Sequence, residues 1–169
     1  MFLGSEQIKK LILEQELVKD YIDLEKQLQP NGFDLTVKSI EKLTIAGAIY
    51  VNDKVTPSTE KVLPVGDIWL LDKGSYLVYF NEIINLPKGL AAVHIQRSTV
   101  MRCGALSIVG SWDSGYKGRG CSLLVVENEN GIQIQKNARI VQMHFIPVSG
   151  EIFTYNGNYQ NENIEEVRK

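Results

Sequence analysis

Four short segments of this 169-residue chain hold side chains able to bind or transform an anion. In the first, Arg97-Ser98-Thr99 followed by Arg102 sets two guanidinium groups and two hydroxyls within six residues. Phosphate oxygens favour forked, charged donors combined with hydroxyl or backbone N–H donors, and arginine supplies that fork better than lysine. The same residues would also serve as a short helix start capped by Ser98 or Thr99, its arginines paired with surface carboxylates. The second segment, Gly110-Ser111-Trp112-Asp113-Ser114-Gly115-Tyr116-Lys117-Gly118-Arg119, is a glycine-punctuated turn with one carboxylate. Asp113 there could act as a general base on water, or close an Asx turn by bonding the backbone two residues on. Tyr116 could be a platform for a sugar or a half-buried strand residue.

The third segment, Gln29-Pro30-Asn31-Gly32-Phe33-Asp34-Leu35, places a carboxylate after a turn and ahead of extended chain. Asp34 could hold a water of a magnesium ion that rides on substrate phosphates, or be an ordinary turn residue. In the fourth, Ala138-Arg139-Ile140-Val141-Gln142-Met143-His144-Phe145, alternation turns Ile140, Gln142 and His144 to one face, as in a core strand with buried polar partners. His94 and His144 read as satisfied interior side chains. With only two histidines, two cysteines and no C-x-x-C, zinc-assisted hydrolysis or deamination is excluded, and Cys103 and Cys121 read as buried structural thiols.

Positioning these groups requires a scaffold, and the periodicity describes one. Ile8, Leu11, Ile12 and Leu17 recur at helical spacing, which predicts an amphipathic helix from Ser5 to about Leu17 with Ser5 as its cap. From Ile45 onward the chain breaks into short apolar or β-branched runs: Ile45–Val51, Ile68–Leu71, Ser75–Phe80, Gly89–Gln96, Leu106–Trp112, Cys121–Glu127, Gly131–Gln135 and Arg139–Pro147. That pattern predicts an antiparallel sandwich or barrel and not a βαβ nucleotide fold. Asn128-Glu129-Asn130-Gly131 predicts a tight hairpin. Residues 39–64 carry the least pattern, and the polar segment 155–169 reads as a mobile arm.

Length and a 44% hydrophobic, 22% charged composition fit one globular domain over 1–169. The net charge of −2 provides no global field for polymeric nucleic acid or an anionic membrane. From Gln96 to Arg119, however, four cations stand against one carboxylate, a local +3, so a polyanionic ligand is held by local charge. No apolar run reaches the length of a membrane span and the first residues lack a signal-peptide pattern, so a cytoplasmic location is expected.

Taken in order, the segments resemble the superfamily of trimeric dUTPases and dCTP deaminases, in particular its deaminase-like branch. Ser5–Val18 is similar to that branch's N-terminal helix, Gln29–Leu35 to the first motif, and Arg97–Arg102 to the Arg-Ser-Ser-x-x-Arg motif. Asp113–Gly118 resembles the third motif, Ala138–Gln142 the fourth, and Tyr159-Gln160 the Tyr-Gln of a phosphate-covering tail. The resemblance implies a distorted antiparallel, jelly-roll-like β-barrel with an N-terminal helical segment over 1–28. At the strand position where the deaminases carry a proton-shuttling glutamate, this chain has Leu123, as the dUTPases have an apolar residue. The resemblance therefore implies a dUTP diphosphatase, with dCTP deamination, a bifunctional enzyme or a non-catalytic nucleotide-binding regulator as alternatives.

By the same resemblance, Asp113 activates water for attack on the α-phosphorus, and Arg97, Ser98, Thr99, Arg102 and Gln142 bind substrate. Tyr116 packs on the deoxyribose, and backbone around Ser107–Gly110 reads the base. Tyr159 and Gln160 close over the phosphates, and Asp34 holds a water of Mg2+. The resemblance also implies a homotrimer with sites between subunits.

Overall fold

A computed structural model describes residues 1–150 and 153–164; the end of the expected arm, 165–169, lies outside the described residues. The chain begins with α1 (Ser5–Gln15), β1 (Val18–Lys19), α2 (Leu24–Gln27), β2 (Leu28–Gln29) and the long β3 (Gly32–Leu43). Short strands β4 (Ala48–Ile49), β5 (Lys54–Val55) and β6 (Thr59–Lys61) follow, then β7 (Ile68–Leu71), β8 (Gly74–Phe80), β9 (Ile83–Asn85) and β10 (Leu90–Gln96). After α3 (Ser98–Arg102) come β11 (Ala105–Ile108), β12 (Lys117–Gly118), β13 (Cys121–Val126), β14 (Ile132–Gln135) and β15 (Arg139–Pro147).

The main sheet runs β10-β15-β3-β8-β13-β11, with β2 and β6 also paired to β3, and is antiparallel throughout. It curls until its two outer strands approach across α3, where the Ser107 N–H donates to Gln96 Oε1 at 2.7 Å. The result is the mainly β, nearly closed barrel that the periodicity and the resemblance predict. Phe33, Leu35, Val37, Ile40, Val78, Phe80, Leu124 and Phe145 fill its interior, all fully buried. Burial of such side chains is the main favourable contribution to folding.

Strand β3 is the pivot of the barrel. Its first half pairs with β15 and its second half with β8, and the pairing register shifts between Val37 and Ser39. Phe33 to Val37 alternate apolar and polar in sequence, yet Asp34 and Thr36 are buried as fully as their apolar neighbours, so the period marks no solvent face and does not reveal the strand's extent.

Other expectations require correction. The helix ends at Gln15, two residues before Leu17, because Glu16 turns left-handed (φ 54°) and its N–H closes on the Leu11 carbonyl. Gly4, not Ser5, is its N-cap, with no side-chain bond. Of Ile45–Val51 only Ala48–Ile49 is strand, paired with β5, and Val51 is fully exposed. No hairpin forms at Asn128–Gly131. The turn exists, with Asn128 Oδ1 accepting from the Asn130 N–H at 3.0 Å and Gly131 at φ 69°. Its flanking strands then part: β13 pairs with β8 and β11, and β14 pairs with β7. Cys103 is exposed and Cys121 only half-buried, so neither is a fully buried thiol.

Candidate active site

Most of the side chains with chemical potential line one of two cavities, while Thr99, Arg102, Arg139 and Gln160 line neither. The smaller, about 260 Å³, lies where β15 crosses β3 and the chain leaves β10, and includes Asp34, Arg97, Ser98, Gln142 and His144 in its lining. Antiparallel register sets Gln142 opposite Asp34, and the Arg97 N–H bonds the Ile140 carbonyl at 2.9 Å, so three strands converge there. The Asp34 side chain is wholly buried. Its Oδ2 accepts a short bond from Arg97 Nη1 and a second from Arg139 Nη1 at 3.3 Å; its Oδ1 accepts from Gln142 Nε2 at 3.3 Å.

Two guanidiniums share this one carboxylate, and Arg97 lines the cavity, so the local charge there favours an anion. Burial, with Arg139 alongside, pulls the Arg97 pKa below its ordinary value. Ser98 and Thr99 stand exposed on α3, and neither caps it: Arg97 is the N-cap, without a side-chain bond. Arg102, exposed at the end of α3, has no ion pair among the described residues. His144 presses Nδ1 to the Asn31 carbonyl oxygen at 2.7 Å and stacks on Phe2, in keeping with a satisfied interior ring.

The donor set fits an anion. Asp34 is committed to two guanidiniums and an amide, and no trio of His, Cys, Asp or Glu able to cage a metal occurs among the described residues. A protein-held cation is therefore not assigned to this cavity.

The larger cavity, about 540 Å³, is lined by Gly110, Trp112, Asp113, Tyr116, Cys121 and Glu162, among others, and shares no lining residue with the smaller one. Trp112 exchanges both backbone hydrogen bonds with Ala92 (2.8 and 2.9 Å), which ties the start of the third motif to the barrel wall. The next turn closes through the backbone: the Tyr116 N–H bonds the Asp113 carbonyl at 3.0 Å and Gly115 takes φ 86°. The Asp113 carboxylate is thus not used in an Asx turn. It is exposed and makes no hydrogen bond among the described residues.

Tyr116 is buried edge-on between Trp112 (ring centroids 5.1 Å) and Tyr155 (5.7 Å), and its hydroxyl donates to Glu162 Oε1 at 2.9 Å. Burial and the Glu162 carboxylate push its phenol well above the usual range. Glu162 is itself raised, chiefly by burial.

The described part of the tail lies against this motif. The Tyr155 N–H bonds the Ser114 carbonyl at 2.7 Å, and the Gln160 side chain accepts from the Lys117 N–H (2.9 Å) and donates to the Gly115 carbonyl (3.0 Å). Tyr159 lines the larger cavity under the Lys54 ammonium. Tyr159 and Gln160 are thus brought to Tyr116 and not to Arg97. Leu123 lies half-buried on β13 between Leu77 and Ile108, and Glu127 and Glu129 both pair with Lys73, so β13 presents no carboxylate.

Sequence reasoning missed Arg139 and Glu162. Arg139 stands in a quoted segment, but a cation opening a strand reads as solvated; Glu162 lies in a polar tail with no period. It also misread His94, which is buried between Phe80 and Trp112 with neither ring nitrogen partnered among the described residues. Burial lowers its pKa to about 3, so it is neutral.

A curled antiparallel barrel carrying a buried arginine–carboxylate cluster and a second cavity lined by aromatic rings defines a mainly β protein. More particularly, the model of the dCTP deaminase-like family matches residues 2–148, and the chain belongs to that family. It is 42% identical over 168 residues to a probable deoxyuridine 5'-triphosphate nucleotidohydrolase of Methanosarcina acetivorans, covering 96% of this chain and 98% of that one. It is 40% identical over 165 residues to a protein of the same description from Archaeoglobus fulgidus, with the same coverage. Among solved structures, the 2'-deoxycytidine 5'-triphosphate deaminase of Agrobacterium tumefaciens superposes with a TM-score of 0.66 at 18% identity, covering 85% of this chain. The matched part is 46% of that longer chain, and the likeness concerns the fold.

Proposed function

We propose that the protein is a dUTP diphosphatase, converting dUTP and water to dUMP and diphosphate. The observation that carries the choice of reaction is the pairing of a free Asp113 carboxylate beside buried Tyr116 with an apolar Leu123 on β13. A leucine moves no proton to a cytosine ring, whereas an unengaged carboxylate can orient and deprotonate a water. The near full-length relatives described as dUTP nucleotidohydrolases support the same reading.

Arg97, Ser98, Thr99, Arg102 and Gln142 would hold the phosphates, with Asp34 fixing the guanidinium of Arg97. Preorganised positive charge of this kind stabilises the charge that builds on the phosphoryl oxygens. Asp113 would present the water to the α-phosphorus, diphosphate leaving opposite it. Tyr116 would pack on the deoxyribose once the tail makes room, and Gly110 would approach the base. Magnesium would come with the triphosphate and offset part of its charge. Because the two cavities share no lining residue, a substrate reaching from base to terminal phosphate could draw on cavities of different protomers in the homotrimer that the resemblance implies.

Incubation with dUTP and with dCTP, each with magnesium, followed by chromatography tests the reading. Diphosphate and dUMP are expected from dUTP alone. Appearance of dUTP or dUMP from dCTP would overturn it in favour of a deaminating enzyme, and binding without turnover would favour a regulator.

A further inference from the structure

Linked to Asp34 through Gln27 lies a buried carboxyl group with no cation among its hydrogen-bond partners, its pKa raised by burial. Glu82 is 1% exposed. Its Oε1 accepts from Gln27 Nε2 (2.7 Å) and Thr36 Oγ1 (2.6 Å), and its Oε2 from the Thr36 N–H (2.9 Å). Gln27 is equally buried, and its amide is saturated. Nε2 donates to the Asp34 carbonyl (2.8 Å) and to Glu82, while Oε1 accepts from the N–H groups of Ile22 (2.7 Å) and Asp23 (2.8 Å). An amide that makes all four of its bonds has one permitted orientation.

These bonds close a ring around the anion cluster. Arg139 Nη1 donates to the Lys26 carbonyl, next to Gln27, as well as to Asp34 Oδ2. Asp34 is therefore gripped through its carboxylate by Arg97 and Arg139 and through its carbonyl by Gln27, and Glu82 holds Gln27. Burying a carboxyl group with no cation partner is unfavourable where apolar packing would serve, so its presence calls for a positional explanation. Thr36 lies on the same face of β3 as Asp34, so Glu82 fixes the strand two residues beyond the site while Gln27 fixes the site itself.

We propose that Gln27 and Glu82 form a buried positioning pair that sets Asp34, and through it Arg97 and Arg139, in the geometry that binds a polyphosphate. The proposal rests on reading that cluster as the phosphate site. Neither residue touches substrate; both act through Asp34.

The test uses the full-length protein and two readouts, dUTP kinetics and calorimetric binding of inorganic tripolyphosphate. Gln27→Met keeps an unbranched side chain of similar volume but removes all four bonds, and Glu82→Gln puts an NH2 group against existing donors. Each is expected to raise KM and weaken tripolyphosphate binding about tenfold while kcat stays within about twofold. Asn81→Ala serves as the control: it removes bonds to Thr36 Oγ1, Val37 and Asn137 in the same region without touching Gln27 or Glu82. It should lower the melting temperature and leave tripolyphosphate affinity unchanged.

Affinity retained in folded Gln27→Met, or lost equally in Asn81→Ala, overturns the proposal, and Glu82→Gln decides in the same way if Gln27→Met does not fold. Failure of both to fold while Asn81→Ala folds would also overturn it, because the pair would then be needed for the fold as such. A wild-type protein that binds tripolyphosphate but leaves dUTP intact refutes the proposed reaction and still judges the pair on affinity. Absence of tripolyphosphate binding by the wild type overturns the pair as well.

Discussion

Asp113 and Asp34 are both acidic residues of short motifs, yet the fold gives them opposite surroundings. Asp113 is exposed and unbonded, ready to meet water; Asp34 is buried and committed to two guanidiniums. Asp113→Asn should therefore lower kcat by about a hundredfold to ten-thousandfold with little change in melting temperature, measured as diphosphate release. Asp34→Asn should act the other way, costing about 1–3 kcal/mol of stability in denaturant unfolding because Arg97 and Arg139 lose the charge between them. The residues with chemical potential were legible in the sequence as types: Arg97, Ser98, Asp113, Tyr116 and Gln142 all line one cavity or the other. What was not legible is pairing across 63 residues, as between Asp34 and Arg97, because nothing local to either marks the other as its partner.

At the scale of elements, the tail and β3 decide what the site can do. Docked on the third motif, the tail buries Glu162 against the Tyr116 hydroxyl, and that burial raises the pKa of the carboxyl above its ordinary value. Between the ordinary and raised values the docked tail keeps a proton that a free tail has released. Docking therefore weakens as pH rises through that window. Protease protection of the tail should fall over the same window, and Glu162→Gln should remove the dependence.

Strand β3 constrains the other cavity. A Cβ at Gly32 would come within 2.7 Å of the Met143 carbonyl and 2.8 Å of Gln142 Cγ. Gly32→Ala should destabilise the protein by about 1–3 kcal/mol in thermal unfolding and raise KM, since relief requires Gln142 to move. Dense apolar runs such as Ser75–Phe80 and Arg139–Pro147 were readable, whereas the extent of β3 and the β4–β5 hairpin were not. In β3 the polar members of the alternation, Asp34 and Thr36, are buried along with the apolar ones, so the period gives no solvent face; in β4–β5 apolar residues such as Ile49 and Val51 are almost wholly exposed, so their pattern describes no core face.

For the whole molecule, separation of the two cavities gives a direct test of assembly. Neither Arg97→Ala nor Asp113→Asn protein should turn over dUTP appreciably alone. Co-refolded mixtures of the two should regain activity if cavities of different copies cooperate, because some sites then receive intact arginines from one copy and an intact carboxylate from another. A mixture no more active than its parts would place the whole reaction within single chains. Barrel class and the presence of local positive charge were readable from composition and spacing. Closure of the barrel was not, because it depends on β10 and β11 meeting across a five-residue helix.

The convergence on Asp34 also sets an order of events as the chain is made. The cluster draws on β3, on the residue after β10, and on β15, which enters the sheet between those two strands. Contacts of such long sequence separation form late, since the loop entropy must be overcome before they reward the chain. Until β15 has emerged and slotted in, Arg97 lacks the strand that carries its backbone bond and Asp34 lacks Arg139 and Gln142. On the proposed reading of the cluster, a nascent or truncated chain ending before Arg139 should be blind to polyphosphate, and acquisition of anion affinity should report that the last strand has been placed.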